Sequence, residues 1–412
     1  MEIKRDTYLK RLADKRNNGL IKVITGIRRC GKSYLLDPIF KNFLKSEGVP
    51  SDHIIKIELD KPSNIKFHSD PELFNDYIHS FIKDDDPYYL LLDEIQLVQG
   101  FEFVLNGLLY ERNLDVYVTG SNSKFLSKDI ITEFRGRGDQ IHINPLSFSE
   151  YYSAIGGDKS VEWNTYLTYG GMPLVLSQKS DEDKASYLKS LFEQTYFTDI
   201  INRNKIKRFD VLDSIVDILA SSVGSLTNPR KILDTFVSQK EKELSINTVN
   251  AYISYLEDAF IVNKALRYDV KGRKYISTPQ KYYFSDLGLR NAKLNFRQQE
   301  ETHLMENAIY NELIFRGYNV DVGVVEVREK DKRIQTEVDF ICNKGYERVY
   351  IQSALSLDTH EKTMQESRPL NQIGDSFRKV IVVKDNNRTW MTEDGIIVTG
   401  IIDFLLNPSS VL

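Results

Sequence analysis

No feature constrains this chain more than Gly26-Ile27-Arg28-Arg29-Cys30-Gly31-Lys32-Ser33, which fits the pattern G-x-x-x-x-G-K-[ST]. It lies between a short apolar run, IKVIT at 21–25, and a helical pattern, KSYLLDPIFKNFLKSEG. Strand, glycine loop and helix in that order make an anion cradle. Glycines let successive N–H groups turn inward, and the helix N-terminus adds partial positive charge. Lys32 is expected to reach the β- and γ-phosphates of ATP, and the Ser33 hydroxyl to ligate Mg²⁺. Arg28, Arg29, Cys30 and Tyr34 belong to the same nucleotide-binding segment. Cys30 reads as a small residue that fits the loop.

A parallel sheet is expected around this loop. Further apolar strands are expected at 53–59, at 88–93 (YYLLLD), at 114–120 and near 140, alternating with helices, as in a sheet covered on both faces. Asp93 and Glu94 close the third of these runs, at the sheet edge where such folds bind ligands. Asp93 is expected to hold Mg²⁺ through water and Glu94 to act as general base on the attacking water. After the fourth run, Ser121, Asn122 and Ser123 read either as γ-phosphate or water contacts, or as a turn or helix cap. Arg135 and Arg137 follow, and an arginine supplied across a subunit contact stabilises phosphoryl transfer. Arg28 and Arg29 are the local alternative, or are simply solvated.

Beyond Pro145 the pattern turns helical, and from about Thr302 it returns to alternating helix and strand. Four regions are expected: a nucleotide-binding core at 1–145, a helical lid at 146–208, a winged-helix-like domain at 209–298 and a second α/β domain at 299–412. In the third, Ser245 or Asn247 caps a helix with apolar positions at Val249, Ile253, Leu256 and Phe260, and a hairpin follows with Lys271-Gly272 at its turn. A net charge of −4 gives no global field for nucleic acid. Two cysteines, Cys30 and Cys342, exclude a disulfide framework. No apolar run approaches the roughly 20 residues of a membrane span, and the charged N-terminus has no apolar signal region. A soluble, cytoplasmic protein is expected.

The segments GIRRCGKS, LLLDEIQ, VTGSNS, FRGRG, PLSFSEYY, YLTYGGMPLVL, YFTDIINRNKI, KYYFSDLGLRNA and EVDF with YIQSALSL resemble the bacterial and archaeal AAA-family predicted ATPases that carry a C-terminal domain of unknown function. They run over nearly the whole chain. The resemblance implies Walker A at Lys32 and Ser33, Walker B at Asp93 and Glu94, and a sensor at Ser121 or Asn122. It also implies that Arg137 is the family's arginine before PLSF. Gly171-Met172-Pro173 is similar to the element that packs near adenine and senses nucleotide state. The last region is similar to PD-(D/E)xK restriction-endonuclease folds, with Glu306 and Asp339 at acidic positions. Gln352-Ser353-Ala354 stands where an E-x-K element is expected, so this domain is read as an inactive binding domain.

DNA contact is weighed on the third region. Its expected recognition helix, SINTVNAYISYLEDAF, carries Glu257 and Asp258 and no Lys or Arg; the basic residues lie in KGRK (271–274) and NPRK (228–231). Protein contact is the favoured use, with DNA the alternative. Three functions compete: an ATP-driven switch or motor acting in a homo-oligomer or on a protein partner, an ATP-regulated nuclease, and a non-hydrolysing nucleotide-gated scaffold. Glu94 favours the first over the third, and Gln352 with Ala354 disfavours the second.

Overall fold

The computed structural model describes residues 3–120, 136–238, 244–329, 332–385 and 388–408. The chain divides into two compact units, one of Glu2–Pro145 with Asp258–Phe260, the other of Leu146–Glu257 with Ile261–Leu412. Among the described residues no helix is long and apolar enough to cross a membrane.

The first unit is built on five parallel strands: β1 (Ile21–Thr25), β2 (Ile54–Glu58), β3 (Tyr88–Asp93), β4 (Leu114–Thr119) and β5 (Gly138–His142). They lie in the order β2-β3-β4-β1-β5. Every residue of β1 and β3 is buried, as a sheet covered on both faces requires. Leu90, Leu92, Val116 and Val118 pack in one cluster with Phe101, Val104 and Leu108 of helix Phe101–Leu108. Each such large side chain contributes about 1.5–3 kcal/mol on burial. Lys22, inside the apolar run of β1, is also fully buried, with its ammonium against Asp115 of β4.

The helix expected straight through Lys32–Gly48 is interrupted. Asp37 is extended (φ −144°, ψ 115°), because a residue before proline is pushed out of the helical region and Pro38 follows it. Helix resumes as Lys41–Ser46.

The second unit begins with helices Phe148–Ile155, Lys159–Tyr169, Asp181–Ser190 and Thr198–Asn204. The first is closed by a reciprocal capping box between Ser147 and Glu150. Helices Phe209–Ser221, Pro229–Ser238 and Ile246–Asp258 follow, and then the hairpin of β6 (Val262–Asp269) and β7 (Lys274–Phe284). Ser245, not Asn247, caps the third of these helices: its Oγ accepts the Thr248 N–H at 3.1 Å. The hairpin turn is where it was expected, with the Gly272 N–H donated to Asp269 at 2.8 Å.

The remainder is an α/β body with helix Glu301–Phe315, β8 (Asn319–Glu329), β9 (Lys332–Lys344), β10 (Glu347–Ala354), helix His360–Asn371, β11 (Arg378–Val383), β12 (Trp390–Met391) and β13 (Ile397–Gly400). Its sheet order is β12-β13-β11-β10-β9-β8-β6-β7. Residues 267–269 of the hairpin pair in parallel with 322–324 of β8, so one sheet runs across the expected boundary at 298. The apolar run IIVTGIID divides at Gly400: β13 ends there, and Ile401–Leu406 is helical.

Candidate functional site

The loop after β1 turns on three residues of positive φ: Gly26 (145°), Arg29 (65°) and Gly31 (100°). Gly26 cannot be replaced without displacement, since a Cβ there would lie 2.2 Å from the Ile143 carbonyl oxygen. Lys32 is buried and its Nζ donates to the Gly26 and Ile27 carbonyls at 3.0 and 3.1 Å, which fixes the ammonium at the loop. Cys30 is buried too, its thiol donating to the Ile143 carbonyl at 3.4 Å, so it packs the loop. Arg28, Arg29 and Tyr34 are exposed around it.

Strand order sets the rest. Because β4 lies between β1 and β3, its last residue falls level with both the loop and the acidic pair; Ile24 pairs with Thr119, and Leu92 with Val118. Thr119 is fully buried, and its Oγ1 donates to the Asp93 carboxylate while accepting the Glu94 N–H at 3.0 Å. Ser33 lies close enough to act on the same carboxylate, where its hydroxyl favours the charged form. Burial raises the Asp93 pKa and the charges of Glu94 and Asp60 add to that, against the two hydroxyls. Glu94 sits in the left-handed region (φ 56°, ψ 46°), and its carboxylate accepts from the Gln96 amide. The Ser33 hydroxyl and the Asp93 carboxylate are hard-oxygen donors of the kind Mg²⁺ takes.

His142, at the end of β5, completes the neighbourhood. Its Nδ1 lies 3.3 Å from Thr25 Oγ1. Burial, then the charge of Lys32, pushes its pKa down to about 4, so the ring is neutral. Neither Thr119 nor His142 was expected from the sequence. The only signal was that each ends a strand beside the loop.

The other expected residues divide. Ser121, Asn122, Ser123 and Arg135 lie outside the described residues. Arg137 precedes β5 and its carbonyl accepts the Ile21 N–H, at the start of β1. The loop leaves the other end of that strand, about four residue rises or roughly 13 Å away. Arg137 is therefore exposed at the sheet edge opposite its own phosphate loop.

Gly171 and Pro173 belong to the second unit, where their surroundings are tight. The Asp286 carboxylate accepts from the Gly171 N–H at 2.6 Å and the Leu289 N–H at 2.9 Å. A Cβ on Gly171 would meet the Leu146 carbonyl at 2.1 Å, and one on Gly288 the Tyr169 carbonyl at 2.0 Å. Asn291 donates to the Leu167 and Thr168 carbonyls, both at 2.9 Å. The GGMP and SDLGLRN segments thus interlock through backbone groups, and Asp286 is the pin.

Glu306 and Asp339 converge in the same unit, from helix Glu301–Phe315 and β9, with an unexpected third and fourth member. Lys281 Nζ of β7 lies 2.9 Å from Glu306, 2.7 Å from Glu337 and 3.4 Å from Asp339. Gln352 accepts the Asp339 N–H through Oε1 and donates to Glu366 through Nε2, both at 3.3 Å. Burial and the charge of Asp339 raise the Glu306 pKa, while Lys281 opposes them.

A glycine loop with a buried lysine, beside a carboxylate that one threonine joins to the next backbone N–H, defines a P-loop domain, and residues 18–152 match the AAA domain family. Residues 160–300 match a domain of unknown function (DUF8612). The chain is 33% identical over 414 residues to an uncharacterized protein of Haemophilus influenzae, covering 98% of each, and it belongs to that protein's family. It is 26% identical over 355 residues to an uncharacterized protein of Methanocaldococcus jannaschii, covering 82% of this chain and 74% of the other. Among solved structures, the Aeropyrum pernix Orc1 protein in complex with DNA has a TM-score of 0.31 at 11% identity, covering 72% of this chain and 93% of the other. Cdc6p of Pyrobaculum aerophilum has a TM-score of 0.30 at 11% identity, over 71% and 93%.

Proposed function

We propose that this chain is an AAA-type ATPase that binds and hydrolyses Mg-ATP and uses the cycle as a conformational switch or motor on a macromolecular partner, in the cytoplasm. The observation that carries the reading is the single hydroxyl of Thr119 joining Asp93 to the Glu94 backbone beside the glycine loop that holds Lys32. Bound Mg-ATP supplies the transferable phosphoryl group and the metal charge. The backbone N–H groups of residues 26–33 receive the phosphates, and Lys32 turns from the Gly26 and Ile27 carbonyls toward them. Ser33, and Asp93 through water, would hold Mg²⁺. Glu94 takes the proton of the attacking water, its backbone fixed by Thr119. Ser121 or Asn122 contacts the γ-phosphate. Arg137, at the opposite sheet edge, serves a neighbouring copy's site, which makes the active form a homo-oligomer. Gly171 and Pro173 sense nucleotide state, and Asp286 passes that state to the hairpin segment. In residues 209–298 a winged helix contacts a protein partner, with DNA the alternative. Residues 299–412 form a nuclease-like binding domain that does not cleave.

The test is Mg²⁺-dependent ATP turnover with and without duplex DNA, against Lys32→Ala and Glu94→Gln. Loss of a general base lowers turnover by about 10²- to 10⁴-fold, and both variants are expected to fall at least that far. Turnover that survives both changes would sink the reading. ATP that raises the melting temperature without turnover would favour the nucleotide-gated scaffold.

A further inference from the structure

Lys281 is almost fully buried, yet it is charged and surrounded by acids. Glu337 and Asp339 are two apart on β9 and so share one face of the strand. Glu306 enters from the helix, and Tyr283 donates to its Oε1 at 2.6 Å. The Ser353 N–H donates to Asp339 Oδ2 at 2.9 Å. An ammonium carries three donors, and three carboxylates lie within 3.4 Å of Nζ, one for each. Burial opposes the charge, and the three carboxylates outweigh it, so the lysine pKa lies above its ordinary value. Hard oxygens converging on one point are what a divalent ion needs from a protein. Here that point is already filled, and Gln352 spends its amide on the Asp339 backbone and on Glu366.

We propose that this acidic centre holds its own cation: Lys281 Nζ stands where a divalent metal ion would stand, and closes the centre to metal. The inference rests on the reading of residues 299–412 as a nuclease-like domain that does not cleave, and is independent of the ATPase reading. It gives that domain a reason for inactivity beyond the missing E-x-K. The centre is an ion-paired knot between the hairpin and the C-terminal sheet, with one ammonium shared by three acidic side chains. β7 brings the cation, while β9 and the helix bring the acids.

The test titrates Mn²⁺ into the full chain without nucleotide, reading bound ion by its spin-resonance signal and stability by melting. Wild type and Asp339→Asn are expected to bind the same amount of Mn²⁺. Lys281→Ala is expected to gain one further ion per chain and a Mn²⁺-dependent rise in melting temperature, both removed by adding Asp339→Asn. Should Lys281→Ala fail to fold, Lys281→Ala/Glu337→Gln sheds one acid with the cation and keeps Glu306 and Asp339 as ligands; the same gain is expected there. Mn²⁺ binding by wild type that depends on Asp339 overturns the proposal, and so does a folded Lys281 variant that gains no ion. Mn²⁺-dependent cleavage of DNA by wild type, lost in Asp339→Asn, overturns both this proposal and the non-cleaving reading. Asp339-dependent Mn²⁺ binding by wild type without cleavage overturns only this one.

Discussion

Two buried carboxylate centres among the described residues, one at the tip of β3 and one between β7, β9 and helix Glu301–Phe315, are built to opposite ends. Asp93 is held by the Thr119 hydroxyl, which neutralises no charge. Glu306, Glu337 and Asp339 share one ammonium, which offsets part of theirs. A carboxylate held only by neutral donors keeps its appetite for a cation, whereas one held by lysine has spent it. Acidic residues near one another are therefore a poor guide to metal chemistry until the sign of their partners is known.

The largest effect should come from breaking the second centre. Removing one partner of a buried ion pair strands uncompensated charge and costs about 3–5 kcal/mol, and Lys281→Ala is expected to lose stability on that scale in a denaturant melt without metal. Asp93→Asn is the counterpart. It removes a carboxylate whose ionisation burial already disfavours, so its stability should equal or exceed wild type while ATP turnover is lost. If Lys281→Ala proves neutral, or Asp93→Asn costs as much as it does, the contrast between the centres collapses.

Thr119→Val sharpens the comparison from the other side. The change is close to isosteric but leaves the Glu94 N–H and the Asp93 carboxylate each short of a partner. An unmade buried hydrogen bond costs about 1–3 kcal/mol, which, if it falls on the transition state, is roughly a ten- to hundredfold loss of turnover. Steady-state ATPase kinetics would check this, with nucleotide affinity expected to change little.

These two centres also show what the sequence made legible. The strands at 21–25 and 88–93 lie where the apolar runs put them, and those near 54 and 114 differ only at their ends. Buried parallel strands are uniformly apolar, so their signal is local. Loop and acid pair were equally plain, since G-x-x-x-x-G-K-S and a strand ending in Asp-Glu are contiguous patterns. Thr119 was not plain, because its role depends on β4 lying between β1 and β3, and strand order leaves no mark in a linear pattern. Lys281 escaped for a related reason. It sits in a hairpin arm, 25 residues from Glu306 and 58 from Asp339, and only the pairing of β6 with β8 brings the two regions into one sheet. The break at Asp37 was readable from Pro38, but the apolar spacing on either side argued for one continuous helix.

Asp286 offers a smaller test. It caps helix Leu287–Lys293 through the Leu289 N–H and holds Gly171 as well. Loss of a capping carboxylate costs about 0.5–2 kcal/mol, and Asp286→Ala should fall at the upper end because a second N–H loses its partner. If the residue also relays nucleotide state, ATP should protect the β6–β7 hairpin from hydrogen exchange in wild type and not in Asp286→Ala. Equal protection in both would leave Asp286 a structural pin only.

The smallest expected effect sets the two units against each other in pH. Burial, then Lys32, holds His142 down at about 4, below an unfolded value near 6.5. Its contribution to the first unit is present above pH 6.5 and is lost as pH falls toward 4. Asp286 runs the other way. Burial holds its carboxyl at about 6, against the backbone N–H groups, from an ordinary 3.8. The stability it lends the second unit is full below the ordinary value and is lost as pH rises through 6. Between pH 4 and 6.5, acid therefore weakens one unit at His142 while strengthening the other at Asp286. His142→Gln should flatten the acid-side loss of melting temperature, and Asp286→Asn should flatten the loss on raising pH from 4 to 6.5. If both variants shift the profile in the same direction, one of the two rings of partners has been assigned wrongly. Bound phosphate, by offsetting the Lys32 charge, should lessen the His142 slope and leave the part due to burial.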